Sequence, residues 1–347
     1  MLQDDLGAPA VGKELAAQLG KVVERVARAM IPQGVSNTLN ALSKMDIVAA
    51  AVSPAGWACL AQAAKRTTRE MNPQDVANIL NALSKLKAAA AAVSPSGWTG
   101  LAEAAERTAR EMKPQGIANI LNALGKLEAA AAAVSPAGWA GLAQAAERTA
   151  RQMKPQDIAN TLNALTKLEA AAAAMSPAGW AGVTQAAERT TREMNPQHIA
   201  NTLTALSKLE AAAAAVSPVG WAGLAQAAER TTREMNPQDV ANILNALGKL
   251  VAAATAVSPM GWAGLAQAAE RTAREMNPQN VANTLDALGV LPAAAAELSP
   301  SARTHLEAAA EREAPNMRQD GLMATRRGCG RLNLRIPSAI LDSDSFQ

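Results

Sequence analysis

The 347-residue sequence has almost no aromatic residues: six tryptophans, one phenylalanine and no tyrosine, or 2% of the chain. A globular core of this size ordinarily contains many more. Hydrophobic residues nevertheless make up 49% of the chain, which excludes disorder caused by low hydrophobicity. Most of them are alanine, which is the strongest helix former and is depleted in strands. The composition therefore predicts helices.

Cysteine and histidine are scarce as well, with two of each: Cys59, Cys329, His198 and His305. Two cysteines exclude a disulfide framework and a cysteine-based zinc site. Neither histidine lies at a useful spacing from a cysteine or a pair of carboxylates, and the sequence has no nucleophile–base or phosphate-loop motif. We therefore expect no cofactor, no metal and no enzymatic activity.

The sequence also lacks a strong charge excess and long apolar runs. Thirty-three basic residues stand against 30 acidic ones, a net charge of +3, whereas nucleic-acid-binding proteins usually have a larger basic excess. The longest apolar runs are short alanine tracts, so we expect no membrane span. The opening Met-Leu-Gln-Asp-Asp-Leu has acids where a secretory signal has bases, so we expect no signal peptide.

The sequence is instead dominated by one repeat. Successive tryptophans are 41 residues apart, and two proline series and one asparagine series keep the same period. A fixed period of about 40–47 residues is typical of HEAT and armadillo arrays. We predict an all-α fold, an α-solenoid of about seven 41-residue helical-hairpin repeats that form a HEAT/armadillo-like superhelix. The tryptophans are Trp57, Trp98, Trp139, Trp180, Trp221 and Trp262.

The repeat also sets the predicted domain boundaries. They are a flexible N-terminus at 1–11, a degenerate first repeat at 12–52, six full repeats at 53–298, a partial repeat at 299–321 and a disordered tail at 322–347. The tail is predicted because the pattern is lost from about Gly321. Because the sequence starts in a degenerate repeat and breaks off within another, we expect a fragment, or a truncated or frameshifted copy, of a longer protein.

Two helix starts are visible in each repeat. Ser53-Pro54 and Asn72-Pro73 each combine a side-chain N-cap with proline at the first helical position. Trp57 lies on the apolar face of the first helix, so we expect the tryptophans in the core between repeats rather than as platforms for base stacking. Alanines 88–92 either extend the second helix or form a short third one, and the sequence does not decide between these.

Two further features of the first helix carry expectations. Pairs of opposite charge four residues apart, such as Glu106–Arg110 and Glu147–Arg151, are expected to form ion pairs along the helix. Glycines three residues apart recur inside this helix, where each costs roughly 1 kcal/mol. We therefore expect close backbone approach to the neighbouring helix at these positions.

The second helix of each repeat carries a polar face, which we call the amide–lysine ridge. In one repeat it consists of Gln74, Asn78, Asn81 and Lys85, at positions i, i+4, i+7 and i+11. Amides both donate and accept hydrogen bonds, and lysine adds charge. The ridge could bind the main chain of an extended peptide, or the bases and phosphates of single-stranded RNA. The alternatives are an asparagine ladder that satisfies neighbouring backbone and a plain solvated face.

The candidate binding residues are the members of this ridge in successive repeats. They are Gln74, Asn78, Asn81, Lys85, Asn119, Asn122, Lys126, Asn160, Asn163, Lys167, Asn201, Lys208, Asn242, Asn245 and Lys249.

The block Asn-Pro-Gln-Asp-Val-Ala-Asn-Ile-Leu-Asn-Ala-Leu-Ser-Lys at 72–85 and a related block at 200–208 resemble the SKWP-repeat (XopAD-like) family of type III effectors of plant-pathogenic bacteria. The resemblance covers roughly 12–321, although Ser84-Lys85 is followed here by Leu86-Lys87 and not by Trp-Pro. It implies virulence, with the protein in the bacterial cytoplasm before delivery and in the host plant cell after type III secretion. It implies no catalytic residue.

We therefore expect a non-enzymatic helical-repeat interaction scaffold, an effector or a piece of one, whose leading partner is a host protein or an extended peptide. The alternative is a single-stranded RNA-binding helical-repeat protein, since the same block is also similar to repeats of organellar RNA-binding proteins. The sequence does not show which helix would line a concave face.

Overall fold

The computed structural model describes residues 8–343, and the side chains of residues 14–341. Every regular element within this range is a helix. The helices form two compact units. The first contains the residues up to Met153 together with Ala164–Gly179, and the second contains Lys154–Asn163 together with the residues from Trp180 onward.

The helices of the first half of the chain are α1 Ala8–Ala27, α2 Pro32–Leu42, α3 Asp46–Ala51, α4 Pro54–Thr67, α5 Pro73–Leu83, α6 Lys87–Ala91, α7 Pro95–Thr108, α8 Pro114–Leu124, α9 Glu128–Ala132, α10 Pro136–Thr149, α11 Pro155–Leu165 and α12 Glu169–Ala174. Those of the second half are α13 Pro177–Thr190, α14 Pro196–Leu206, α15 Glu210–Ala214, α16 Pro218–Thr231, α17 Pro237–Leu247, α18 Val251–Thr255, α19 Pro259–Thr272, α20 Pro278–Val290, α21 Pro292–Ala296, α22 Pro300–Glu313, α23 Gln319–Leu332 and α24 Ser338–Ser343. Seven of the long helices are followed by three-residue 3₁₀ turns at Thr68–Glu70, Ala109–Glu111, Ala150–Gln152, Thr191–Glu193, Thr232–Glu234, Ala273–Glu275 and Ala314–Asn316.

A full repeat contains a long helix such as α4, a middle helix such as α5 and a short helix such as α6. The predicted all-α array of repeated helical hairpins is confirmed. The question left open for alanines 88–92 is settled in favour of a separate short helix. Leu86 separates α5 from α6 with a backbone conformation of φ −99° and ψ 84°, which is not helical.

Both predicted helix starts have side-chain caps. The Ser53 hydroxyl accepts a hydrogen bond from the Gly56 N–H at 2.9 Å. The Asn72 side chain accepts one from the Asp75 N–H at 2.9 Å, while the Asp75 carboxylate accepts the Asn72 N–H at 3.2 Å. This reciprocal capping box satisfies two backbone donors that the helix start leaves free.

The core lies between the helices of each repeat and its neighbours. All six tryptophans are buried, with exposed fractions from 5% for Trp57 to 8% for Trp139. The predicted core position of the tryptophans is confirmed. On the middle helix α5, Val76, Ile79 and Leu80 are buried as well.

The charged residues of the long helices join neighbouring repeats. The expected pairing of Glu106 with Arg110 and of Glu147 with Arg151 was wrong. The Glu106 carboxylate instead accepts the backbone N–H of Ser135 at 2.9 Å, 29 residues later, and Glu147 accepts that of Ser176 at 2.8 Å. Each glutamate therefore binds the N-terminus of the next long helix, where a negative charge is favoured.

An arginine that recurs every 41 residues forms hydrogen bonds to the preceding repeat. Nη2 of Arg107 donates to the carbonyl oxygens of Thr68 at 3.0 Å and Met71 at 2.9 Å. Arg271 makes the equivalent bonds to Thr232 and Met235 in the second unit. These carbonyl oxygens lie at the end of the preceding long helix and its 3₁₀ turn. No further helical N–H is available there to donate to them.

The predicted disordered tail at 322–347 was wrong for the part that the structure describes. Helix α23 packs against α20, with Thr325, Cys329 and Leu332 buried. Gln319, where α23 begins, lies 41 residues after Pro278, where α20 begins. The helix is therefore a divergent middle helix: the sequence identity is lost, but buried positions persist at the repeat spacing. Residues 344–347 lie outside the described residues.

The other end of the chain was predicted to be flexible at residues 1–11. Helix α1 begins at Ala8, so residues 8–11 are helical. Residues 1–7 lie outside the described part of the chain.

Candidate functional site: the amide–lysine ridge

The middle helices that carry the amide–lysine ridge lie side by side within each unit. In the first unit α2 packs on α5 and α5 on α8, and in the second α14 packs on α17 and α17 on α20. The apolar residues of these helices face the core, so the ridge lies on the opposite side of each helix. Stacking therefore places the ridges of successive repeats next to one another within a unit.

The structure places every predicted ridge residue at the surface or partly at it. The half-buried members are Asn78, Asn81, Asn119, Asn122, Asn160, Asn163, Asn201, Asn242 and Asn245, and the exposed members are Gln74, Lys85, Lys126, Lys167, Lys208 and Lys249.

Amide groups bond to one another along and across the ridge. Nε2 of Gln74 donates to Oδ1 of Asn78 at 3.0 Å, and Nδ2 of Asn78 donates to the Ser36 hydroxyl of the preceding repeat at 3.3 Å. Gln279 and Asn283 repeat the first of these bonds at 3.0 Å in the second unit. A primary amide has two N–H donors and an acceptor oxygen with two lone pairs. These bonds orient the amides and leave part of their hydrogen-bonding capacity for another molecule.

Lysines from three successive repeats of the first unit form a row. Partial burial lowers the pKa of Lys126, and the positive charges of Lys167 and Lys85 lower it further. The Lys167 stem lies over the end of the preceding middle helix, since its Cδ is 3.6 Å from the position of a Cβ on Gly125. Among the described residues, no carboxylate lies within ion-pair distance of these three lysines. The row is therefore a set of like charges without a counterion among the side chains of residues 14–341.

The ridge changes character at the end of the second unit. Asp286 takes the place of the second ridge asparagine, and Val290 takes the place of the lysine. Both oxygens of Asp286 accept hydrogen bonds from Arg327 of α23, at 3.1 and 3.0 Å, and Arg331 is 3.9 Å away. Sequence analysis missed this pair because the tail was expected to be disordered. A comparison of residues 41 apart would have placed Arg327 beside Asp286.

A cavity of about 300 Å³ opens between the N-terminal ends of α5 and α8. Gln74 and Asn119 of the ridge line it, together with Gln115, Glu111 and Lys113. Hydrogen-bond donors and acceptors from two adjacent repeats thus face one concave space.

The rare titratable residues occupy structural positions. His198 takes the place of Asp75 in the capping box of α14: its Nδ1 accepts the Asn195 N–H at 3.5 Å, and burial lowers its pKa. Burial also raises the pKa of the Cys329 thiol to about 11, so the thiol is protonated near neutral pH. Cys59 is half-buried.

Within residues 8–343, no helix combines the length and apolar character that crossing a bilayer requires. Over the side chains of the same part, histidine, cysteine and carboxylate groups do not gather in threes or more as metal ligands.

A protein-family model described as "Protein of unknown function (DUF1601)" matches the chain six times, at residues 58–80, 100–121, 141–162, 184–203, 223–244 and 264–285. Each match begins within a long helix and ends within the following middle helix. The family model therefore follows the repeat found in this sequence.

The comparison with curated proteins gave no match. Among solved structures, the chain is similar to a chain of the "Homology model of the full-length AP-3 complex in an intermediate open conformation", with 12% sequence identity and a TM-score of 0.35. The match covers 81% of this chain and 52% of that one, so this chain spans about half the length of that structure.

Proposed function

We propose that this protein is a non-enzymatic interaction scaffold that binds an extended segment of a partner protein on its amide–lysine ridge. The observation that carries the proposal is the lateral packing of the middle helices, which brings equivalent amides and lysines of successive repeats together. Stacked helical repeats commonly provide extended binding surfaces of this kind. Bonds such as Gln74–Asn78 hold the amides in place while leaving donors and acceptors open.

The non-enzymatic part of the proposal is supported by what the rare reactive side chains do. His198 completes the capping box of α14, and Cys329 is buried with a raised pKa. Nucleophilic and acid–base catalysis both require reactive side chains that are brought together and accessible in one place. The polar residues of the ridge are instead nearly the same in each repeat, which suits a long partner better than a small substrate.

We extend the proposal to a host-cell partner on the resemblance of residues 72–85 to the SKWP-repeat effectors. The protein would then pass from the bacterial cytoplasm into a plant cell by type III secretion and act there by binding. This extension is supported by the sequence block alone.

Capture of partners from a plant extract tests the proposed function. The full-length protein is compared with an Asn81→Ala/Asn122→Ala variant, which removes two half-buried ridge amides. A Gln62→Ala/Gln144→Ala variant is the matched control, because those exposed amides lie on the long helices. We expect the ridge variant to lose a protein that the wild type and the control both capture. Equal capture by all three would exclude the ridge as the binding surface.

Single-stranded RNA is the second candidate partner, and the unpaired lysine row is the observation that favours it. Proteins that bind single strands usually stack bases on exposed aromatic side chains, whereas the six tryptophans here are buried. RNA binding should weaken with salt at a logarithmic slope of about −0.7 per phosphate contact. Capture that disappears when the extract is treated with ribonuclease would favour RNA over protein.

A further inference from the structure

We propose that the partner segment is acidic and binds in a polyproline II conformation, with a carboxylate at every third residue that pairs in turn with Lys85, Lys126 and Lys167. The inference deepens the proposed function and rests on it, since it names the chemistry of the segment that the ridge binds.

The sign of the partner's charge follows from the lysine row. The three lysines are exposed and come from successive repeats. Lys126 lies close enough to both of its neighbours for their charges to lower its pKa, and no described carboxylate pairs with any of the three. A row of like charges raises the free energy of the unbound protein, and an anionic partner relieves that repulsion. The negative end of each helix dipole favours a lysine beside the C-terminus of that helix. It does not supply a counterion to the row of three lysines.

The spacing of the row selects the backbone conformation of the partner. Packed helices lie about 8–10 Å apart. A polyproline II helix rises about 3.1 Å per residue with three residues per turn, so every third side chain points the same way at intervals of about 9 Å. In a β-strand, residues three apart point to opposite faces. The polyproline II interval of about 9 Å therefore matches the spacing of packed helices, whereas the same-face residues of a β-strand lie two apart, about 6.6–6.8 Å.

The amides of the ridge suit the main chain of such a segment. A polyproline II backbone makes no internal hydrogen bonds, so its carbonyl oxygens and N–H groups remain available. Asn81 and Asn122 are half-buried and lie four residues before Lys85 and Lys126, which follow the C-terminal ends of α5 and α8. Carboxylates would then meet lysines while the backbone meets amides, and the two contacts repeat from one helix to the next.

The end of the second unit lacks these features. Asp286 is already bound by Arg327, and Val290 stands where the lysine would be. A carboxylate arriving there would meet a charge pair and an apolar side chain. The binding determinants proposed here are those of the lysine-bearing repeats of the first unit.

Fluorescence anisotropy with the full-length protein and labelled peptides tests the proposal. The probe consists of four Pro-Ala-Glu triplets. Its controls are four Pro-Ala-Gln triplets, a peptide of the same composition with its four glutamates adjacent, and a 12-nucleotide oligouridylate. We expect the spaced acidic peptide to bind about tenfold more tightly than the glutamine peptide, since three exposed ion pairs are lost in the latter. It should also bind more tightly than the peptide with adjacent glutamates.

The protein variants make the assignment to the row specific. Lys85→Gln/Lys126→Gln/Lys167→Gln should weaken binding of the spaced peptide about tenfold. Arg69→Gln/Arg110→Gln/Arg151→Gln is the matched control, because it removes three exposed cations with the same 41-residue spacing from the 3₁₀ turns. We expect that control to bind as the wild type does. Unchanged circular dichroism of both variants checks that they fold.

The possible outcomes separate this inference from the proposed function. Equal binding of the glutamate and glutamine triplets, lost in Asn81→Ala/Asn122→Ala, would overturn the acidic partner and keep the peptide-binding ridge. Equal binding of the spaced and adjacent glutamates would overturn the polyproline II spacing. Oligouridylate binding that outcompetes every peptide and is lost in the lysine variant would overturn both proposals. The absence of any peptide binding would overturn the inference.

Discussion

Arg327 and Asp286 lie 41 residues apart and form a bidentate ion pair, in which Nε and Nη2 of Arg327 donate to the two carboxylate oxygens at 3.1 and 3.0 Å. Both occupy the same position of their respective repeats, the second amide position of the ridge. The pair shows that equivalent ridge positions on α20 and α23 are in direct reach of each other. The pair also connects α23, whose sequence has lost the repeat pattern, to α20, the last middle helix that keeps this pattern.

This ion pair should contribute modestly to stability. About half of the Arg327 side chain and a third of the Asp286 side chain are exposed, and exposed pairs contribute about 0.2–1 kcal/mol. We expect Arg327→Ala to lower the free energy of unfolding by about 0.5 kcal/mol in urea denaturation. In Asp286→Asn, which restores the residue of most other repeats, the same arginine substitution should have no effect. A double-mutant cycle that gives no coupling would show that the pair does not stabilise α23.

Two glycines three residues apart in α10 should respond to alanine in opposite ways. A Cβ on Gly138 would overlap the Glu106 carboxylate and displace it from the Ser135 N–H. A Cβ on Gly141 would meet only the Ala109 Cβ at 3.9 Å. We expect Gly138→Ala to destabilise the protein by about 1 kcal/mol, and Gly141→Ala to stabilise it by about 0.5–1 kcal/mol through helix propensity. Thermal melts of both variants check this, and the same sign for both would contradict the assignment.

Buried threonine hydroxyls are a second place where the chain can be stabilised. Thr202 and Thr284 are fully buried, and their hydroxyls have no hydrogen-bond partner. Ile79 and Ile243 fill the equivalent positions of other repeats. Because an unsatisfied buried hydroxyl costs about 1–3 kcal/mol, Thr202→Ile should raise the free energy of unfolding by about 1 kcal/mol. Thr99→Ile, at an exposed position, is the control and should change it little. A lower melting temperature for Thr202→Ile would mean that the site is overpacked.

His198 should make stability depend on pH. Burial lowers its pKa below the ordinary value, so the folded state binds its proton less readily than the unfolded state. The contribution of His198 to the free energy of unfolding is therefore complete above about pH 6.5. It is lost as the pH falls through the lower pKa of the folded state. His198→Asn removes the titration and introduces the residue whose side chain completes the capping box of α20 at the same position, Asn280.

Urea denaturation between pH 7.5 and 5 tests this difference. The wild type should lose more stability over that range than His198→Asn does. Parallel pH profiles for the two proteins would rule out a contribution from His198.

The features that the sequence predicted well are local and periodic. The repeat length, the caps at Ser53 and Asn72 and the buried tryptophans each follow from residues within one 41-residue unit. The surface position of the amide–lysine ridge follows in the same way, because helical periodicity alone places it opposite the apolar residues.

Features that depend on two repeats at once were not predicted. The bond from Glu106 to the Ser135 N–H competes with a pairing along the same helix, and only the position of the next helix decides between them. The expected close backbone approach at the paired glycines was wrong: a Cβ on Gly100 would lie 3.1 Å from the Thr68 hydroxyl oxygen, a side-chain atom, whereas Gly141 has space beside the Ala109 side chain. The sequence contained a sign of this contact between repeats. Cys59 and His305 occupy the position of Gly100 in their repeats, and the residue 32 positions earlier, Thr68 for Gly100, is alanine in both cases.

The hydrogen bonds between repeats have fixed sequence offsets. Glu106 binds a residue 29 positions later, and Arg107 binds carbonyls 36 and 39 positions earlier. Removing or duplicating a 41-residue segment inside a unit would leave each of these offsets unchanged at the new junction. Unequal recombination between the near-identical segments could therefore alter the copy number of the array in a single genetic event, without any compensating substitution at the joint.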